Sequence, residues 1–299
     1  MDHGRGSGGV RIQSFVKLEI MLRALRDRFI FRPLAASRQI QRYAHSNFEL
    51  VVKAFDDHKI AFDPSDKVVG HHIGKFGDWF RDDFRRVVTL LNNAGSPTRE
   101  KIFMDVGANI GTQTVYALVG DDFAGSISFE PAPKNVMALK ANITINDLDS
   151  RAMVVPKAVG AAPGTLTLML DDENSGGHSF RSGTSGGKKS ALAVELTTID
   201  AALAELAVDP SDIGLLWLDV EGYEPEAIAG AKRILALRVP LCIEFNSHVY
   251  GDTGTSSLLD LLANAGYRSA TAIGTSLPER TFALDDIDPN YLPGDFLFL

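Results

Sequence analysis

The sequence has a single cysteine, Cys242, in 299 residues. That excludes an internal disulfide framework and a thiolate metal cluster, and it fits a reducing, cytoplasmic setting. Cys242 lies in the apolar run PLCIEFN and reads as a small core residue, not a nucleophile. Long apolar runs are missing as well: none reaches the roughly 18 residues of a membrane span. Near the N-terminus the apolar residues are broken by Lys17, Glu19, Arg23, Arg26, Asp27 and Arg28, so no signal-peptide h-region is expected. Positive charge is also scarce. A formal net charge of -8 argues against a general nucleic-acid binder.

Charge is distributed unevenly along the chain. Residues 1–45 carry nine Lys/Arg and three Asp/Glu, a net of +6, leaving -14 for the remainder. Within that stretch Phe15, Leu18, Leu22, Leu25 and Phe29 repeat with alternating spacings of three and four, the seam of an amphipathic helix. Such a helix docks on its own domain or on a second subunit, which makes a homodimer an expectation. Its basic face also suits peripheral contact with an acidic membrane surface.

FELVVKAFDDHKIAFDP reads as two short strands around a polar turn, and DWFRDDFRRVVTLLNNAG as a helix closing on Gly95. From Ile102 onward short apolar runs alternate with helical patterns, which implies parallel strands, right-handed crossovers and an open doubly wound sheet. We therefore expect an N-terminal extension over residues 1–100 and a ligand-binding α/β domain over residues 101–299. The strand patterns GTLTLML and ALAVELTT flank a Gly/Ser-rich loop at residues 171–190. It reads as a flexible loop, and its functional reading is a lid over substrate.

The segment IFMDVGANIGTQT places a strand, a glycine turn and a helix start where a doubly wound sheet binds ligands. A dinucleotide fingerprint needs glycine at two further fixed positions; here Asn109 and Thr112 occupy them, and no Gly-Lys-Ser/Thr follows for a P-loop. A pyrophosphate would also meet Asp105. S-adenosyl-L-methionine fits better, because it lacks phosphate and carries a sulfonium and an ammonium. Glu130, ending the next strand in SISFEP, is placed for the two ribose hydroxyls.

FMDVGANIGTQT, SFEPAPKNVMALKANITIN, PKAVG, TTIDAAL, LLWLDVEGYEPEAIAGAKRIL and CIEFN, in this order, resemble the FkbM family of class I S-adenosylmethionine-dependent methyltransferases. Asn109 in the turn is part of that resemblance. It implies a Rossmann-like, seven-stranded sheet whose last strand is antiparallel, with GDFLFL as that strand. It also implies methyl transfer, usually to a hydroxyl of a small molecule, sugar or glycan. The expected cofactor residues are Asp105, Gly107, Ala108, Asn109, Gly111, Glu130 and Ala158.

For the chemistry, LLWLDVEGYEPE offers Asp219 and Glu221 at a strand end, where one can take the acceptor proton or orient the acceptor. Glu224 and Glu226 read as structural acids in the first turn of the next helix. His248, following the strand PLCIEFN, is a third candidate base because its ordinary pKa suits neutral pH. No metal is expected: Asp219, Glu244 and His248 show no recognisable ligand spacing. Two rival readings are a nicotinamide-dependent oxidoreductase with a degenerate turn and a non-catalytic binding protein that keeps the fold.

Overall fold

A computed structural model describes Tyr43 and residues 48–180, 189–274, 280–287 and 294–299. The expected basic helix over residues 15–29 lies outside the described residues, and so do residues 181–188 of the Gly/Ser-rich loop.

The expected hairpin is β1 (Val51–Ala54) with β2 (Lys59–Phe62), antiparallel with Val51 opposite Phe62. A helix the sequence reading left out, α1 (Val69–Phe76), precedes α2 (Arg81–Asn93), the helix expected there. Asp82 and Asp83 occupy the first turn of α2, where negative charge meets the positive end of the helix dipole, and Gly95 follows at φ +74°.

The central unit then runs β3 (Ile102–Val106), α3 (Thr112–Val119), β4 (Gly125–Phe129), α4 (Pro133–Ile145) and β5 (Ala152–Val155). Proline opens α4 at the position where its missing N–H costs nothing. A small second sheet is made of β6 (Ala158–Val159), β7 (Gly164–Asp171) and β8 (Lys189–Thr197), ordered β6-β8-β7. The chain continues through α5 (Ile199–Glu205), β9 (Ile213–Leu218), α6 (Glu224–Ala229), α7 (Lys232–Ala236), β10 (Leu241–Phe245), α8 (Ser247–Ala265), β11 (Ser269–Ala272), β12 (Thr281–Ala283) and β13 (Gly294–Phe298).

The main sheet has the order β12-β11-β13-β10-β9-β3-β4-β5. Strands β10, β9, β3, β4 and β5 are mutually parallel, and β13 runs antiparallel between β10 and β11. The described residues thus give eight strands where seven were expected. The extra one is β12, three residues long, which pairs with β11 at the far edge. Strand order reverses between β3 and β9, which puts the switch point at their carboxyl ends.

Every residue of β9 is buried, as a parallel strand covered on both faces requires. Side-chain alternation assigns the two faces. Met104, Val106, Leu216, Leu218, Ile243 and Phe245 pack in the core that holds Ile199, Ile228 and Leu258, from α5, α6 and α8. Phe103, Leu215, Trp217, Cys242 and Leu297 pack on the other side with Phe84 and Leu91 of α2 and Tyr116 of α3. The Cys242 thiol is buried there, with its pKa raised by that burial. The hairpin and α1 join this side through Ile60, Phe62, Val69 and Ile73, which pack with Ile110, Val115 and Leu139.

Candidate functional site

The turn after β3 is built by close approach. Gly107 has φ +89°, and a Cβ there would lie 1.8 Å from the backbone oxygen of Asp219, so this turn and the end of β9 touch without side chains between them. Asn109 follows at φ +51°, a conformation asparagine tolerates better than most residues, which explains why it stands where a glycine is expected. Gly111, at φ +83°, caps α3, and a Cβ on it would lie 2.3 Å from Cδ1 of Leu139. Its role is the packing of α3 on α4, away from the ligand cleft.

The amides of this turn are already committed. Gly107 N–H and Ala108 N–H both donate to the Phe129 carbonyl, at 3.0 and 2.9 Å, and Gly111 N–H donates to the Ala108 carbonyl at 2.7 Å. Asn109 N–H donates to Oε2 of Glu130 at 2.9 Å, while Oε1 of Glu130 accepts from Ala132 N–H at 2.8 Å. Glu130 is thereby fixed by two backbone amides, and each carboxylate oxygen keeps a further lone pair. Burial raises its pKa to about 7.

A shallow cleft with an enclosed volume of about 50 Å³, open to solvent, lies above the switch point. Of the sequence-expected residues it gathers Gly107, Asn109, Glu130, Ala158, Asp219 and Glu221. Asp105, Ala108, Gly111 and His248 do not line it. Asp105 is buried beneath, where Oδ2 accepts a 2.6 Å bond from Oγ1 of Thr114, and burial lifts its pKa to about 7. Ala108 packs in the core beside Ile110 and Leu139. His248 is exposed and sits in the first turn of α8, not in a loop.

Sequence reasoning missed part of the cleft wall. Lys157, Asn135, Ser175, Gly176, His178 and Phe180 all line it. Four of them belong to the start of the Gly/Ser-rich loop, whose composition carries no periodicity to place it. The two side chains able to carry positive charge are both engaged. Lys157 pairs with Glu195 at 2.8 Å and Glu205 at 3.5 Å. Nδ1 of His178 accepts from Asp171 N–H at 3.0 Å, which requires a lone pair on that nitrogen, and burial lowers the histidine pKa further.

The acids form a row that strand alternation predicts once the sheet order is known. Asp105 on β3 and Glu244 on β10 face the same side as Phe103 and Cys242, and Asp219, one residue past β9, continues that side from Trp217. Asp295 on β13 pairs directly across from Glu244. Asp219, Glu224 and Glu244 each put a carboxylate oxygen within 4.8 Å of the others. Burial pushes Asp219 up to about 6 and Glu224 to about 7. Glu221 rises to about 8 through burial and the charges of Asp219 and Glu224. The Asp219 charge, then burial, raises Glu244 to about 10. No lysine or arginine among the described residues offsets these four.

Glu221 stands out by its backbone. It holds φ +53°, a costly conformation for a residue other than glycine, followed by Gly222 at φ +97°. Oγ of Ser179 donates to its carbonyl at 2.9 Å, and Oε1 of Glu224 accepts from Val220 N–H at 2.8 Å and Gly222 N–H at 3.3 Å. The turn is thus held from both sides with the Glu221 side chain at the cleft.

The FkbM methyltransferase domain matches residues 105–269, more than half of the chain. No curated protein sequence matches it. Among solved structures, a Bacillus cereus O-methyltransferase in complex with SAH is 11% identical, covers 92% of this chain and 94% of its own, and has a TM-score of 0.41. A putative O-methyltransferase from Klebsiella pneumoniae is 10% identical over 92% of this chain and 93% of its own, with a TM-score of 0.42. The cofactor-bound Rv0187 from MTB is 13% identical over 99% and 98% of the two chains, with a TM-score of 0.41. Identities this low leave the assignment to the domain match. With the matched segment opening at Asp105 and spanning the glycine turn, Glu130, Asp219, Glu221, Glu224 and Glu244, the chain belongs to the FkbM family of S-adenosylmethionine-dependent methyltransferases.

Proposed function

We propose that the chain methylates a hydroxyl of a small molecule, sugar or glycan, with Glu221 receiving the hydroxyl proton. The carrying observation is the commitment of the turn amides. Gly107, Ala108, Asn109 and Gly111 already donate within the chain, so a pyrophosphate finds few donors there, and the cleft's one lysine is paired. Three carboxylates line the same cleft, Glu130, Asp219 and Glu221. That donor set fits S-adenosylmethionine and speaks against the nicotinamide reading. Oδ1 of Asn109, a cleft residue, is buried without a hydrogen-bond partner and is available to the ligand.

When bound, the cofactor supplies a methyl group already activated by a positively charged sulfur. The rest is work for this chain. Glu130 uses its spare lone pairs on the ribose hydroxyls. Glu221, with its pKa raised to about 8, accepts the acceptor's proton in its ionised form, which gains population as pH rises toward 8. That assistance contributes roughly 10²–10⁴-fold. Aligning the acceptor oxygen accounts for several kcal/mol more, on the order of what positioned intramolecular reactions gain. An adjoining open cavity shares Asn135, Ser175 and His178 with the cleft and combines an apolar wall, Leu50, Phe62, Leu170 and Leu192, with the polar groups of Asp66, Asp172 and Asn174, a mixed lining that suits an acceptor with both apolar and hydroxyl-bearing parts.

Calorimetry with S-adenosylhomocysteine tests the donor: saturable binding is expected, strongly weakened by Gly107→Arg or Glu130→Ala. A folded protein that gives no binding heat ends the reading. For the acceptor, metabolite extracts incubated with protein and cofactor are searched by mass spectrometry for a product heavier by one CH₂. Transfer found only on nitrogen or carbon acceptors overturns the hydroxyl assignment.

A further inference from the structure

We propose that Asp219, Glu224 and Glu244 bind one hard divalent cation of the magnesium or manganese type. Their three carboxylate oxygens, each within 4.8 Å of the others, come from three different elements: the end of β9, the first turn of α6 and β10. Oxygens on one ion lie at most twice the metal–oxygen distance apart, about 4.2 Å for magnesium and about 4.6–5.2 Å for calcium. The set therefore closes on an ion with small side-chain movement. All-oxygen ligation selects hard cations over zinc or copper.

A second observation is independent of the clustering. Glu224 is fully buried, and while Oε1 accepts two backbone N–H groups, Oε2 has no partner. A buried carboxylate oxygen left without a donor is costly, and a cation is the partner that also answers the neighbouring charges. The surroundings sharpen the need. Asp295 faces Glu244 directly across the β10–β13 pair, and like charges directly opposite destabilise a sheet. Asp219 lines the cleft, and both it and Glu244 are only partly buried, so an ion can reach the set past Asp219. His248, the third ligand considered from sequence, is replaced by Glu224, whose place at a helix start made it look structural. The ion's role rests on the proposed hydroxyl transfer: beside Glu221 it polarises the acceptor oxygen as a Lewis acid.

Manganese binding to the full chain without cofactor, followed by loss of the free-ion electron paramagnetic resonance signal, is the test. One ion per chain, displaced by magnesium, is expected. Glu224→Gln and Glu244→Gln each weaken binding by roughly tenfold or more, whereas Glu226→Gln, on the same helix but outside the set, leaves it as in the parent. The two variants sit on different elements, so a folding failure in one leaves the other to decide. An unchanged free-ion signal with folded protein overturns the proposal, and so does parent-like affinity in the folded variants. Retained S-adenosylhomocysteine binding without manganese binding removes the ion site and leaves methyl transfer standing; manganese binding without the nucleoside does the reverse.

Discussion

The turn after β3 and the acid row beyond β9 and β10 touch at Gly107 and Asp219, yet they are built on opposite terms. In the turn, the backbone amides of Gly107, Ala108, Asn109 and Gly111 and both oxygens of Glu130 find partners inside the chain, and only Oδ1 of the Asn109 side chain is left over. In the acid row Glu224 leaves a buried oxygen unpartnered, and Asp219, Glu221 and Glu244 crowd together without a basic neighbour among the described residues. A satisfied region holds its shape whatever arrives. An unsatisfied one is held in place by its surroundings and improves when something binds or a proton moves, so chemistry belongs there.

The strongest way to break this comparison is Glu221→Gln. It keeps size and polarity but removes the proton acceptor, and kcat/KM is expected to fall by roughly 10²–10⁴ while S-adenosylhomocysteine binding persists. Unchanged turnover in that variant would falsify Glu221 as the base. Gly107→Ala probes the satisfied side. The added carbon meets the Asp219 backbone at 1.8 Å in a left-handed conformation, so a loss of roughly 3 kcal/mol or more in unfolding free energy is expected. A melting temperature equal to the parent's would show that the contact yields.

A pH titration sharpens the point for Glu130. Its folded pKa is raised from 4.5 to about 7 by burial, so the folded state keeps a proton that the unfolded state gives up. Its contribution is fully present below about 4.5, declines as pH rises, and is gone above about 7. Linkage at about 1.4 kcal/mol per unit sets the scale at roughly 3 kcal/mol. Denaturant unfolding at several pH values should show that decline in the parent and a flatter curve in Glu130→Gln. The smallest effect is expected from Asn109→Gly, which restores a fingerprint glycine. The amides stay committed and only the Oδ1 contact is lost, so S-adenosylhomocysteine affinity falls by roughly a few-fold, the worth of about one hydrogen bond, and thermal shift with NAD stays flat. A new NAD-dependent stabilisation would mean that glycine count, not amide commitment, sets the ligand.

Much of this was readable along the chain. Local patterns gave the hairpin, α2, the alternation of strands and helices and the positions of Gly107, Glu130, Asp219 and Glu221, while the antiparallel β13 came from the family resemblance alone. These signals depend on periodicity and on turn chemistry, which act over a few residues. Three features were not legible. Helix α1 is short, and its glycines and histidines mask its apolar face. β12 has three residues and gains its place only by pairing with β11. The cleft residues Ser175, Gly176, His178 and Phe180 sit in a segment whose composition reads as loop wherever it goes.

The sequence by itself determined that the first strand end carries no complete dinucleotide fingerprint, because Asn109 and Thr112 stand where that fingerprint needs glycine. Only the tertiary structure decided which acids meet. Glu224 and Glu244 are 20 positions apart in the chain and belong to different elements. Strand order brings β9 beside β10, side-chain alternation turns Asp219 and Glu244 to one face, and the turn at Val220–Gly222 folds Glu224 back against them. Contacts set by sheet order and register leave no mark on local spacing, and so the candidate cation site becomes visible only in three dimensions.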